Sequence, residues 1–223
     1  MQNLVEVREV TKIFFRGGET LPVLDKLSLS INQGEFCALM GPSGSGKTTL
    51  LNLIAGFDTP LSGEVVIGGT LISKLNEYAL TRWRALNLGM IFQFYNLLPV
   101  LTALENVALP LSLYKMSRRE QLARAKLALE QVGLGQRLNH LPKELSGGQE
   151  QRVAIARAIV TDPQLIIADE PTGDLDRKSA GEILTVLQAL QLQRGKTIIM
   201  VTHDPESASY ASRQIRLDKG QVL

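Results

Sequence analysis

Leu4 to Thr11 alternates apolar and polar residues, and Val23 to Ile31 repeats that alternation more loosely beyond a turn-forming FRGGE segment. Two half-buried strands are predicted there. After Gly34 the pattern changes: FCALM is more continuously apolar, enters the glycine-rich stretch GPSGSGKTT, and leads into Lys47 to Gly56, a buried helix closed by a glycine. SGEVVIGG supplies a further short strand between glycine-rich turns. TRWRALNLGMIFQ then passes from a mixed helix into a strand ending near Gln93.

Between about residues 96 and 142 the chain reads as helical, with ALENVALPLSLY interrupted by Pro110 and SRREQLARAKLALEQVG carrying apolar positions at helical spacing. This predicts an inserted, mostly helical lobe. Apolar strands return at LIIADEP and TIIMVTHD, separated by the helix SAGEILTVLQALQLQ, and QIRLDKGQVL closes the sequence as a short strand pair. Each of those two strands ends at an acidic or histidine residue. Because ligands of open α/β sheets collect outside the carboxyl ends of the strands, Asp169, Glu170, His203 and the glycine loop are expected to converge.

Composition narrows the class. The chain has 223 residues, 44% of them apolar, enough for a substantial core. A net charge of +2 with mixed signs and no lysine-rich tail gives no reason to expect a nucleic-acid partner. Cys37 is the only cysteine, so an internal disulfide is impossible and a reducing compartment is expected; its place in FCALM reads as strand packing. The N-terminus lacks the basic opening and apolar core of a secretory signal. The longest apolar runs are strand-sized, far below the roughly 20 residues that span a bilayer. Work at a membrane would require a partner to hold the protein there.

Gly41, four residues, then Gly46, Lys47 and Thr48 form the P-loop pattern in its strand-to-helix context. Gly41, Pro42, Ser43, Gly44, Ser45, Gly46, Lys47, Thr48 and Thr49 are the candidate phosphate cradle. Its glycines let successive N–H groups turn toward a polyanion, Lys47 offers a cation to the β and γ phosphates, and Thr48 offers a hydroxyl to magnesium. Asp169 and Glu170 end an apolar strand, with Asp169 suited to magnesium contact through water and Glu170 to orienting the attacking water. Gln93 is placed to reach metal or water from the edge of the helical lobe, and His203 to contact the γ phosphate.

Five short words now stand in order: GPSGSGKTT, FQ, LSGGQ, LIIADEPTGDLD and VTHD. Together they closely resemble the nucleotide-binding subunit of ATP-binding cassette (ABC) transporters, over essentially the whole chain. The resemblance implies an α/β fold: a P-loop NTPase core of ABC type with an N-terminal antiparallel β subdomain and an inserted helical lobe. Residues 1–223 would form one ATPase domain, with core and β subdomain at 1–92, helical lobe and signature at 93–160, and the rest of the core at 161–223. It further implies ATP and Mg²⁺ held between two subunits head to tail, the P-loop of one facing Ser146, Gly147, Gly148 and Gln149 of the other. By the same resemblance Phe14, or Phe15 beside it, stacks on adenine, Asp176 belongs to a loop crossing the dimer interface, and His203 braces the γ phosphate. The water-activating glutamate falls on Glu170.

LTRWRALNLGMIFQFYNLLPVLTALENVALPL looks like the ATPases of lipoprotein release, macrolide export and division-associated complexes. That likeness implies integral membrane permease partners, a homodimer in the ATP-bound state, a periplasmic adaptor reached through the permease, and residence on the cytoplasmic face of the inner membrane. FYNLLPVLTALENV would form a groove for a coupling helix of the permease, with Leu97, Leu98 and Leu101 exposed to receive it. Two alternatives follow from the same words: mechanotransmission to a periplasmic machine without transport, and a soluble cassette ATPase acting on DNA or ribosomes. The chain has neither the long coiled-coil insertion nor the tandem cassettes associated with the latter.

Overall fold

The computed structural model describes residues 2–17 and 19–223, so Gly18 of the expected FRGGE turn lies outside the described residues. Alternation in the first two segments becomes a long antiparallel pair, β1 (Asn3–Arg16) and β2 (Glu19–Asn32). The looseness of that alternation has a local cause. Glu9 and Lys26 take positive φ, 47° and 44°, and the β1–β2 register shifts between Val7 and Val10, so Val7 and Val10 both reach the core although three residues apart. FCALM forms β3 (Phe36–Met40), and α1 (Lys47–Ala55) follows, ended by Gly56 in the left-handed conformation. β4 (Ser62–Ile67) and β5 (Thr70–Leu71) complete a four-stranded sheet in the order β2-β1-β4-β5.

α2 (Glu77–Asn87) runs directly into β6 (Leu88–Phe92). Three helices then separate β6 from the next strand of the same sheet: α3 (Ala103–Ala108), α4 (Arg118–Gln131) and α5 (Gly147–Ile159). Pro110 falls in a 3-10 turn, Leu109–Leu113, directly after α3. Thr102, Ser117 and Ser146 cap α3, α4 and α5 with reciprocal boxes to Glu105, Glu120 and Gln149. The sheet resumes with β7 (Leu165–Asp169), α6 (Arg177–Arg194), β8 (Thr197–Val201), the single turn α7 (Pro205–Ala208), β9 (Arg213–Asp218) and β10 (Gln221–Val222).

The second sheet is ordered β10-β9-β3-β8-β7-β6, with β10 antiparallel to β9 and every other neighbouring pair parallel. Parallel connections lay chain across both faces, so its strands are buried on both sides. Phe36, Ala38, Ile166, Ala168, Ile198 and Met200 point into one core with α3, α4, α5 and α6, whereas Cys37, Leu39, Leu165, Ile167, Ile199 and Val201 point into another with α1 and the first sheet. Burial pushes the Cys37 thiol up to about 12, in keeping with a packing role.

The exposure expected of Leu97, Leu98 and Leu101 is not general. Leu97 packs against the helical core, Leu101 is half-buried, and Leu98 alone of the three is exposed, at 43%. The reason is fully buried Asn106 of α3, which folds the 98–102 loop onto the lobe. Its Oδ1 accepts from the Leu98 N–H at 2.8 Å, and its Nδ2 donates to the carbonyls of Leu98, Leu101 and Thr102 at 2.9–3.1 Å. Replacing Asn106 by Leu leaves the Leu98 N–H and the Leu101 carbonyl without a partner among the described residues, so urea unfolding should show a loss of about 3 kcal/mol. A change within about 0.5 kcal/mol would contradict this role for Asn106.

Candidate functional site

The loop after β3 has a backbone that only glycine accommodates. Gly41 (φ 152°) would drive a Cβ into the Leu217 carbonyl, and Gly46 (φ 98°), the residue before α1, would place one 2.9 Å from Leu24 Cδ2. Gly46 has no capping side chain, so the first N–H groups of α1 lie open at its positive end. Lys47 Nζ curls over the loop and donates to the Gly41 and Pro42 carbonyls at 2.7 and 2.9 Å. Ser45 is 3% exposed and its hydroxyl has no partner among the described residues. Open N–H groups, a lysine and an orphaned hydroxyl around one loop fit a phosphate chain.

This loop borders a cavity of about 500 Å³ lined by Gly41, Ser43, Gly44, Gly46, Lys47, Thr48 and Thr49, and by Asp169, Glu170 and His203 from two other strands. The parallel register brings them there, with Leu39 of β3 opposite Val201 and Val201 opposite Asp169. Asp169 is half-buried, and its carboxyl is raised above the ordinary carboxylate range by burial first and the Glu170 charge second, with Lys47 opposing. Among the described residues no three His, Cys, Asp or Glu side chains form a metal cluster. Magnesium fits here as an ion held largely by phosphate oxygens and water, for which one hydroxyl, Thr48, and one carboxylate, Asp169, are a suitable protein share.

Glu170 takes a left-handed backbone, φ 48°, unusual for a side chain with a Cβ. Its N–H donates to the Val201 carbonyl and its carbonyl accepts from the Gly173 N–H, each at 3.0 Å. Thus fixed, its carboxylate accepts from His203 Nδ1 at 2.9 and 3.0 Å, leaving Nε2 free of that contact. Glu170 and His203 also wall a second cavity of about 320 Å³ that reaches Thr172, Arg177, Ser207 and Tyr210.

Other expected site residues are not gathered into the P-loop cavity. Ser146 caps α5 and shares its box with Gln149; Gly147 faces the Tyr95 hydroxyl, and Gly148 faces Ser179 of α6. Asp176 caps α6, accepting from the Lys178 and Ser179 N–H groups and the Ser179 hydroxyl. Gln93, one residue past β6, lies against Gly173 instead of lining the cavity. Phe14, 41% exposed, pairs across β1–β2 with Leu21, which does line it, and Lys12 Nζ sits 5.1 Å from the Phe14 ring centroid. Sequence reasoning passed over the hydroxyl pair Thr172–Ser207, 3.2 Å apart, and the fully buried Gln151; a glutamine on the otherwise apolar inner face of a helix was the available signal.

His203 is held above its ordinary 6.5 by the hydrogen bond from its Nδ1 to Glu170 and by that residue's charge. The pair therefore contributes fully below about pH 6.5 and is lost as pH rises through the raised value. An NMR titration should place the His203 midpoint above 6.5 and show it falling in Glu170→Gln. A midpoint indifferent to Glu170→Gln would contradict the pair.

Comparison with known proteins bears on this geometry. The family model for ABC transporters matches residues 24–173. The lipoprotein-releasing system ATP-binding protein LolD of Chromohalobacter salexigens is 47% identical over 219 residues, 98% of this chain and 92% of that protein. The macrolide export ATP-binding/permease protein MacB of Marinobacter nauticus is 48% identical over 99% of this chain, which spans 34% of MacB. Among solved structures, the dimeric post-hydrolysis state of the ATP-binding cassette MJ0796 bound to ADP and Pi superposes with a TM-score of 0.89 at 44% identity, covering 98% of this chain and 96% of that one. A loop built for phosphates, an acidic strand end joined to a histidine, and a capped LSGGQ helix thus sit on a shared fold, and the chain belongs to the ABC transporter family as an ATP-binding, ATP-hydrolysing cassette.

Proposed function

We propose that two copies of this chain close head to tail on two ATP molecules, hydrolyse them, and thereby drive a membrane permease of the lipoprotein-release or macrolide-export type. The observation that carries this reading is the division of the site. The P-loop, Asp169, Glu170 and His203 line one cavity, while Ser146, Gly147 and Gly148 present a helix N-terminus outside it. A second copy supplies what one copy holds apart. The dimeric state of the MJ0796 structure and the likeness to LolD and MacB support the arrangement and the output.

In this reading the α1 N–H groups and Lys47 bind and stabilise the negative charge that grows on the transferring phosphoryl group. Glu170 orients water and takes its proton, and His203, positioned by Glu170, offers Nε2 to the γ phosphate. Magnesium, when bound with the nucleotide, would be held by Thr48 and, through water, Asp169, and would neutralise phosphate charge. Gln93 would join that shell from the loop it shares with the helical lobe. Phe14 or Phe15 would stack on the adenine, and Asp176 would meet the partner copy.

No described helix is long and apolar enough to cross a membrane. In this reading the permease holds the chain at the cytoplasmic face of the inner membrane. A groove of about 380 Å³ between α2, β6 and the helical lobe, lined by Phe57, Arg84, Phe92, Asn96, Leu113 and Arg157, is the docking place we assign to it. Phe57 and Leu113 are 51% and 73% exposed there. A periplasmic adaptor would be reached through the permease.

Glu170→Gln should slow turnover about 10²- to 10³-fold while gel filtration shows an ATP-dependent dimer. Isolated with ATP from detergent-solubilised native membranes, that variant should carry along a permease with a large periplasmic domain. Native turnover in Glu170→Gln would overturn the role of Glu170, and recovery of soluble DNA-bound or ribosomal partners alone would overturn the transport reading.

A further inference from the structure

Gln151 sits in α5, the helix whose N-terminus is Ser146-Gly147-Gly148, and is fully buried. Its Nε2 donates to two carbonyls on different segments: that of Phe92, the last residue of β6 before Gln93, at 3.2 Å, and that of Pro171, directly after Glu170. One amide joins the signature helix to both loops. Its Oε1 is equally buried and has no partner among the described residues. A buried acceptor left unmatched opposes folding, so the amide is a poor choice for stability alone.

The carbonyl it pins on that side belongs to the Pro171–Thr172 peptide, one peptide beyond the left-handed Glu170 backbone. Glu170 is held from one side by the Val201 carbonyl and closed into a turn by Gly173. Gln151 is the tie that comes from the helical lobe. Lower along α5, Arg157 donates to the Tyr95 and Asn96 carbonyls, so the same helix also grips the loop beyond Gln93. A shift of α5 relative to the parallel sheet therefore loads the Phe92 and Pro171 carbonyls together.

We propose that Gln151 is a positioning residue for hydrolysis, tying the signature helix to the Pro171–Thr172 peptide next to Glu170 so that engagement of Ser146, Gly147 and Gly148 with a nucleotide sets the Glu170 carboxylate. This rests on reading Glu170 as the group that orients water. Gln151 touches neither nucleotide nor water in this role; it acts through the Pro171 carbonyl. Its loss should appear in the chemical step and spare nucleotide binding at the P-loop, which it does not contact.

Gln151→Met keeps the length of the side chain and removes both donors. Steady-state ATPase assays should show kcat lowered about a hundredfold, as for a displaced catalytic group, with KM for ATP and the ATP-dependent dimer retained. In the Glu170→Gln background, Gln151→Met should cost little further rate, because both changes remove one function. Gln151→Leu, also without the donors, should show the same split and serves if Gln151→Met does not fold. Native kcat in either variant, or kcat, KM and thermal midpoint all worsening together, would overturn the proposal. Native turnover in Glu170→Gln would instead overturn the reading of Glu170, so the two failures are distinguishable.

Discussion

The parallel ladder that sets β3 beside β8 and β8 beside β7 governs everything at the site. In a parallel sheet neighbouring strands end at the same edge, so loops far apart in sequence emerge side by side. Leu39, Val201 and Asp169 stand in adjacent register, and the residues just beyond them are the glycine loop, His203 and Glu170. Nothing else in the chain could bring Lys47 and Glu170, more than a hundred positions apart, to one cavity. The apolar strand cores that look like mere packing are what aim the chemistry.

On that frame the catalytic edge is held by polar ties of different kinds. Gly41 and Gly46 permit a loop no side chain would allow, and Glu170 accepts a left-handed backbone because Val201 and Gly173 hold it there. Strain in such a turn needs support on more than one side. The helical lobe adds a side through Gln151, which makes the lobe mechanically continuous with the carboxylate.

The parts of the site written in local sequence were legible. The P-loop pattern, the acidic strand end and the signature each consist of adjacent residues whose chemistry depends on spacing alone, and the apolar strands follow from their own composition. What depends on distant packing was not. Polar Glu9 and Lys26 do not announce positive φ, so the β1–β2 register shifts were hidden in a loose alternation. Leu97 and Leu101 looked available for a partner, but buried Asn106 folds their loop inward, and the exposed groove residues turn out to include Phe57 and Leu113, from segments outside the stretch first suspected. Gln151 gave only the weak signal of a polar residue on an apolar helix face; its role exists through two carbonyls brought near by tertiary structure.

The central claim is that one complete site takes residues from two chains. Mixing two inactive variants tests it most directly: Lys47→Ala, defective in the P-loop, and Ser146→Arg, defective in the signature helix. A dimer of the two holds one site with an intact P-loop from one chain and an intact signature from the other. The account predicts that ATPase activity absent from either variant alone appears on mixing. A mixture as inactive as its components, when a mixed dimer is shown to form, would contradict it.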